Sequence, residues 1–209
     1  MDRDSARRYE LLSLLFSYPS DEIVAAREDI ALAASALPAG RASALIKHFV
    51  DCFCDTHALE LQQRYVETFD LQKRSSLYLT FFSHGDTRKR GQELLRLKRL
   101  YRAAGFDLED GELPDYLPVV LALAALYREG GEWVLREYRA GLELLHRHLR
   151  EEQSPYAELT EAVRAGLPRL GVADAAAVRH LAANGPPRED VGLEPFAPPE
   201  IMPIPGRRQ

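Results

Sequence analysis

The stretch that most constrains the fold reads VVLALAALY, from Val119 to Tyr127, and is apolar on every side. A helix with no polar face has to be covered by other elements all the way round. The stretch is about half as long as the ~20 apolar residues that a membrane-spanning helix needs. It therefore predicts a helix in the middle of a helical bundle.

The flanking sequence predicts further helices, because apolar residues recur at three- and four-residue steps between proline and glycine breaks. In the first of these helices, Tyr9, Leu12, Leu15 and Phe16 follow this spacing before Pro19. The same reasoning predicts further helices at about 20–37, 42–54, 56–69, 87–105, 115–127, 132–152 and 174–183, and another that opens at Ser154–Pro155. No strongly alternating set of strands is present, so the fold class is all-α.

Helix ends are assigned from residue chemistry. Asp115 and Ser154 are expected as N-caps, and Pro118 falls in a first turn, where its missing N–H is tolerated. Gly105 is expected to end a helix in the left-handed conformation. The pair Gly130–Gly131 is expected to break the chain between two helices.

The composition changes at Gly185. Seven of the 25 residues from there to Gln209 are proline, which predicts an extended or disordered tail. Apolar residues within the tail, such as Phe196, could dock it on a surface. We therefore expect a single-domain helical bundle over residues 1–184, followed by a Pro-rich C-terminal tail over residues 185–209.

The overall composition limits the possible partners. The net charge of −5 argues against a dedicated nucleic-acid binder, and 46% hydrophobic with 28% charged residues is typical of a soluble globular protein. Two cysteines make no disulfide framework, and the first ten residues, MDRDSARRYE, contain no apolar signal region. We expect a cytoplasmic protein with no direct membrane insertion.

The sequence nominates no catalytic or metal centre. A di-iron bundle needs two Glu-x-x-His pairs, and the chain has one, Glu143 to His146. Cys52 and Cys54 would lie on nearly opposite sides of a helix. His48 shares a face with Cys52, but two ligands make a weak site, which favours buried structural cysteines. We expect no metal and no enzymatic activity.

The segment SLYLTFFSHGDTRKRG, from Ser76 to Gly91, is ambiguous by periodicity. An isolated strand has no partner in an all-α chain, so a helix is preferred, with Ser76, Thr80 and Ser83 forming a polar stripe. Its aromatic side is either core or one wall of a groove for an amphipathic peptide helix. The basic residues that follow are either a solvated helix face, a nucleic-acid patch or the rim of such a groove. The nucleic-acid patch is disfavoured, because no aromatic residues are interleaved with the charges and the chain is acidic.

Several motifs in this region resemble the NarJ family, the dedicated assembly chaperones of membrane-bound respiratory nitrate reductase. The strongest part of this resemblance spans about residues 59–125. The motifs that carry the resemblance are YVETFDL (65–71), SLYLT (76–80), HGDTRKRG (84–91), ELPDYLP (112–118) and GLEPF (192–196).

The resemblance implies an all-helical, non-catalytic chaperone. Such a protein binds the N-terminal segment of the apo catalytic (alpha) subunit of nitrate reductase in the cytoplasm. It holds this client until molybdopterin guanine dinucleotide and an iron–sulfur cluster are in place, binds no cofactor stably itself, and is absent from the mature enzyme. The alternatives are a chaperone of the same fold for another molybdoenzyme, or an unrecognised helical cofactor-binding enzyme.

The resemblance also suggests which residues contact the client. Aromatic and aliphatic side chains would supply an apolar groove, and four acids would meet basic residues of the client. Tyr116 stands where related chaperones often have histidine. The expected client-binding residues are Tyr65, Phe69, Asp70, Leu77, Tyr78, Phe81, Phe82, His84, Asp86, Glu112, Pro114, Asp115 and Tyr116.

Overall fold

A computed structural model describes residues 3–108 and 111–187. Within these residues the regular structure is helical, apart from an isolated antiparallel bridge between Tyr78 and Tyr116. The predicted all-α class is therefore confirmed. Most of the predicted tail, residues 188–209, lies outside the described residues. None of the described helices is long and apolar enough to span a bilayer.

The helices are short and follow one another closely. A π-helical turn, Val66–Asp70, and a 3-10 turn, Lys73–Ser75, accompany the α-helices. The α-helices are α1 Arg3–Phe16, α2 Asp21–Ala25, α3 Arg27–Ser35, α4 Arg41–Asp55, α5 Ala58–Tyr65, α6 Leu79–His84, α7 Arg88–Ala103, α8 Leu117–Leu126, α9 Arg128–Glu137, α10 Arg139–Glu151, α11 Tyr156–Ala165 and α12 Val172–Asn184.

The interior helix predicted from the apolar stretch is α8. It packs against α1 and α9, and Leu117, Val120 and Leu121 are completely buried. The Ser13 hydroxyl of α1 donates a hydrogen bond to the Pro118 carbonyl at 2.8 Å, which ties the two helices together. The outer end is less covered than predicted, since Leu126 is 62% exposed.

Gly130–Gly131 does not break the chain, contrary to the prediction. Both glycines lie inside α9, and the break falls one turn earlier, at Tyr127. A Cβ added to Gly131 would lie 2.4 Å from the Cα of Ala124. The glycine is therefore required for the close approach of α8 and α9, a contact that propensity alone does not reveal.

Three predicted helices are interrupted. The helix expected at 20–37 divides at Ala26, and the one expected at 132–152 divides at Tyr138. The helix expected at 56–69 leaves α-helical geometry after Tyr65 and continues as the π-helical turn. In each case the apolar periodicity continues across the interruption, so it gives no warning of the break.

Two predicted N-caps are also wrong. Tyr116, not Asp115, occupies the N-cap position of α8. The Ser154 hydroxyl is buried and has no hydrogen-bond partner among the described residues, and Pro155 is the N-cap of α11. Gly105, by contrast, has the predicted left-handed conformation, with φ of 81°.

The cysteines are not buried as expected: Cys52 is exposed and Cys54 is half-buried. His48, on the same helix, is within 2.8 Å of the Glu158 carboxylate of α11. In residues 3–108 and 111–187, no group of three or more His, Cys, Asp or Glu side chains is placed to hold a metal ion.

An aromatic cluster joins the first half of the chain to α11. The Tyr156 ring lies at its centre, 4.7 Å from Phe69 and 5.3 Å from Phe49 between ring centroids. Tyr65 lies 4.9 Å from Phe69. This cluster packs the π-helical turn against the bundle, and Phe69 and Asp70 of that turn also line a cavity at the surface.

Candidate peptide-binding site

Two of the recognised motifs meet through backbone hydrogen bonds. The Leu117 N–H donates to the Leu77 carbonyl at 2.8 Å, and the Leu79 N–H donates to the Asp115 carbonyl at 3.0 Å. The segment expected to be helical from Ser76 is therefore extended up to Tyr78 and becomes helical at Leu79. The strand partner that the sequence seemed to lack is the 115–117 segment.

The predicted polar stripe is also wrong, because Thr80 is completely buried. Its hydroxyl donates to Oδ2 of Asp115, and its N–H donates to the same oxygen at 3.2 Å. The Arg90 Nε donates to the Thr80 hydroxyl at 3.3 Å. Asp115 therefore holds α6, α7 and the start of α8 together. Its carboxylate accepts from an N–H in the first turn of α6, and it does not cap α8.

A cavity of about 270 Å³ opens where these segments meet. Seven of the thirteen predicted residues line it: Tyr65, Phe69, Asp70, Leu77, Tyr78, Phe81 and Tyr116. Sequence reasoning missed four more, which are Gln72, Lys73, Ser76 and Arg90. Ser76 lies in the SLYLT motif and Arg90 in the HGDTRKRG motif, so the sequence did contain a signal for these two residues.

The other six predicted residues lie elsewhere. Phe82 is buried in the core beside Gly141, and Pro114 and Asp115 are also buried. His84 ends α6. Asp86 and Glu112 are both exposed, but Asp86 pairs with Arg90 and Glu112 lines a second cavity.

The tyrosine hydroxyls at the site form an ordered chain. The Tyr65 hydroxyl donates to the Phe16 carbonyl at 3.1 Å, so it accepts the hydrogen bond from the Tyr116 hydroxyl at 2.8 Å. Burial is the main cause that raises the pKa of each phenol. Both therefore stay neutral near pH 7, and Tyr116 is held in one orientation.

Arg90 packs against the outer wall of the first cavity. Its guanidinium lies 5.6 Å from the ring centroid of Tyr78, and that ring lies 5.3 Å from the ring of Tyr116. Asp86 and Asp115 are within 3.1 Å and 3.8 Å of the guanidinium. Two of the four acids expected to meet a basic client therefore already pair with Arg90. The other two, Asp70 and Glu112, are exposed.

The second cavity, of about 320 Å³, lies between α1, α8 and the connection after α7. Its floor contains Val119, Ala122 and Leu126 of α8, and Ser13 and Ser17 of α1 contribute to its side. Tyr116 lines both cavities. A ligand lying over Tyr116 would therefore contact both.

The sequence matches a family model described as the nitrate reductase delta subunit over residues 28–161, which include every predicted site residue. A probable nitrate reductase molybdenum cofactor assembly chaperone, NarJ of Bacillus subtilis (strain 168), is 34% identical over 165 residues, covering 78% of this chain and 90% of that protein. NarJ of Escherichia coli (strain K12), a nitrate reductase molybdenum cofactor assembly chaperone, is 34% identical over 153 residues, which are 71% of this chain and 64% of that one.

The fold is also seen in a solved structure. A protein described as a redox enzyme maturation protein from Archaeoglobus fulgidus superposes with a TM-score of 0.54 at 22% identity, covering 77% of this chain and 91% of that one. This likeness concerns the fold alone. The family model and the similarity to the two NarJ proteins together show that the chain belongs to the nitrate reductase delta subunit (NarJ) family.

Proposed function

We propose that this protein is a chaperone that binds the N-terminal segment of the catalytic (alpha) subunit of a respiratory nitrate reductase. The observation that carries the proposal is the aromatic-walled cavity at the junction of the two family motifs, where Tyr78 and Tyr116 are fixed side by side. The similarity to the NarJ proteins, which are named as nitrate reductase molybdenum cofactor assembly chaperones, supports a nitrate reductase as the client.

The groove fits an amphipathic helix better than a polar ligand. Tyr78 and Phe81 offer exposed or half-buried aromatic surface, and Leu77 and Phe69 lie deeper. Aromatic anchors of this kind supply most of the free energy of peptide binding, because large apolar area leaves water with little loss of side-chain freedom. An apolar helix face at three- and four-residue spacing would fill such a groove.

Holding the client is the whole activity in this proposal. In the cytoplasm, the chaperone keeps the apo subunit from its membrane anchor while molybdopterin guanine dinucleotide and an iron–sulfur cluster are inserted. It then leaves, so it is not part of the mature enzyme. It needs no catalytic group and no stably bound cofactor for this role.

The proposal is tested by calorimetry with a synthetic peptide of the first ~15–20 residues of a nitrate reductase catalytic subunit from the same organism. We expect saturable binding with a negative heat-capacity change, because apolar surface is buried. A scrambled peptide of the same composition is the control. No heat and no chemical-shift change with the native peptide would refute the proposal.

A chaperone of the same fold for another molybdoenzyme is the alternative from the same class. Leader peptides of other molybdoenzymes, titrated under the same conditions, distinguish the two. Tighter binding of one of these peptides than of the nitrate reductase peptide would change the client while keeping the chaperone role.

A further inference from the structure

The second cavity has the features of a peptide groove rather than of a small-molecule pocket. Val119 and Ala122 present partly exposed apolar surface along α8, and Leu126 is 62% exposed at its end. These three residues are spaced at three and four positions, so they form one stripe along the helix. Such a stripe matches the apolar face of a second helix lying against it.

The two cavities differ in charge. Asp107 and Glu112 line the second cavity and are exposed, and no described residue lining it is basic. The connection that carries them reads FDLEDGE, with four acids in seven residues from Phe106 to Glu112. The first cavity has Lys73 and Arg90 on its lining together with Asp70. The site is therefore acidic at the α8 end and mixed at the other.

Tyr116 connects the two cavities, since its side chain lines both. Its hydroxyl is fixed by Tyr65 and its backbone begins α8. A helix of ~15–20 residues is about 22–30 Å long, which is enough to lie across Tyr116 and reach apolar surface on both sides.

We propose that the α1–α8 groove is the second half of the client site and takes the basic part of an amphipathic client helix. The apolar face of that helix packs on Val119, Ala122 and Leu126, and its Lys and Arg side chains approach Asp107 and Glu112. This proposal rests on the proposed function and adds to it a direction, with the basic part of the client at the α8 end and the remainder over Tyr78 and Phe81.

The test uses charge reversal on the full chain, with Asp107→Lys combined with Glu112→Lys. We expect affinity for the client peptide to fall about tenfold, because two attractive charge pairs become repulsive. The melting temperature should not change, since both side chains are exposed. The matched control is Asp51→Lys combined with Asp55→Lys, which makes the same charge change on α4, away from both cavities. The control should alter affinity less than about twofold.

A peptide whose Lys and Arg residues are replaced by Glu provides the reciprocal measurement. It should bind the wild-type protein weakly and recover affinity for the reversed variant. The substitution Ala122→Arg, placed on the groove floor, should weaken the native peptide without changing Tyr78 or Phe81.

The outcomes separate this inference from the proposed function. If the native peptide binds the wild-type protein and all the α8-groove variants equally, the chaperone proposal stands and the second half of the site is refuted. If the wild-type protein binds no client peptide at all, the proposed function itself fails. A changed oligomeric state with unchanged peptide affinity would assign the groove to a second copy of the chain and overturn the inference.

Discussion

Phe81 and Phe82 are neighbours in the sequence and differ in environment. Phe81 is half-buried and lines the first cavity, whereas Phe82 is 5% exposed and packs beside Gly141 of α10. Their rings are 6.1 Å apart between centroids. The pair is therefore a natural test of groove against core, with each residue as the control for the other.

We predict that Phe82→Ala lowers the free energy of unfolding by ~3–5 kcal/mol, because a buried ring leaves a cavity. Phe81→Ala should lose more than ~1–2 kcal/mol of client-peptide binding and less stability. Urea denaturation and calorimetry of both variants provide the measurement. Equal loss of binding in the two variants after correction for unfolded protein would contradict the assignment.

Asp115 gives a second residue-level prediction. A helix N-cap contributes ~1 kcal/mol. The observed Asp115 accepts two hydrogen bonds from Thr80 and lies 3.8 Å from Arg90, all in a buried setting. We expect Asp115→Ala to cost ~3 kcal/mol, because it leaves a buried donor and a guanidinium without their acceptor. Asp115→Asn keeps an acceptor and should cost less. A loss of only ~1 kcal/mol in the Ala variant would support the cap instead.

At the scale of the element, two helical glycines should respond in opposite ways to alanine. A Cβ on Gly131 would lie 2.4 Å from Ala124, while a Cβ on Gly91 in α7 would meet no described atom outside its own helical turn within 4 Å. Gly91→Ala should stabilise by ~0.5–1 kcal/mol through helix propensity. Gly131→Ala should instead destabilise by ~1–3 kcal/mol, because α8 and α9 must separate. Thermal and urea melts of both variants decide this, and stabilisation by both would contradict the packing.

The helix α10 makes the stability depend on pH. Burial and then Arg164 lower the pKa of His146, whose Nδ1–H donates to the Thr160 hydroxyl, with Glu143 and Glu161 nearby. Burial and then Arg74 lower the pKa of His148, which is bonded to Gln72 at the edge of the site. The unfolded chain, with histidine pKa values near 6.5, therefore binds more protons than the folded chain in mildly acidic solution.

We therefore predict that the free energy of unfolding keeps its full value above about pH 6.5. It decreases as the pH drops through the lowered pKa values of His146 and His148. Urea titrations at about pH 7.5 and about pH 5.5 measure the difference. The difference should shrink in a variant with His146→Gln and His148→Gln. The pKa of His48 is raised chiefly by its hydrogen bond with Glu158, so its contribution to stability has the opposite pH dependence. His48→Gln should therefore not shrink the difference between the two pH values. An unchanged difference in the double variant would contradict this origin.

At the scale of the whole molecule, we propose that the folded domain ends near Pro187. A Cβ on Gly85 would lie 1.9 Å from the Pro187 carbonyl oxygen, so Pro187 lies against the α6–α7 turn. Gly85 also has a positive φ of 55°, which favours glycine there. The start of the segment predicted as tail is thus in contact with the bundle.

We predict that a chain ending at Pro187 melts at the same temperature as the full chain and binds the client peptide equally. A chain ending at Asn184 loses the contact with Gly85 and should melt at a lower temperature. Differential scanning calorimetry of the three chains is the measurement. A large loss of stability in the chain ending at Pro187 would show that residues 188–209 belong to the folded domain.

The sequence by itself determined the all-α class, the interior position of α8, the family motifs and seven of the residues that line the first cavity. These features depend on local periodicity and on short sequence motifs, which can be recognised without knowing which distant segments are in contact. Only the tertiary structure decided that Tyr78 pairs with Tyr116, that Asp115 binds Thr80, and that Phe81 rather than Phe82 faces the groove. Each of these depends on contacts between segments far apart in the sequence, and no local pattern records which distant segment will supply the partner.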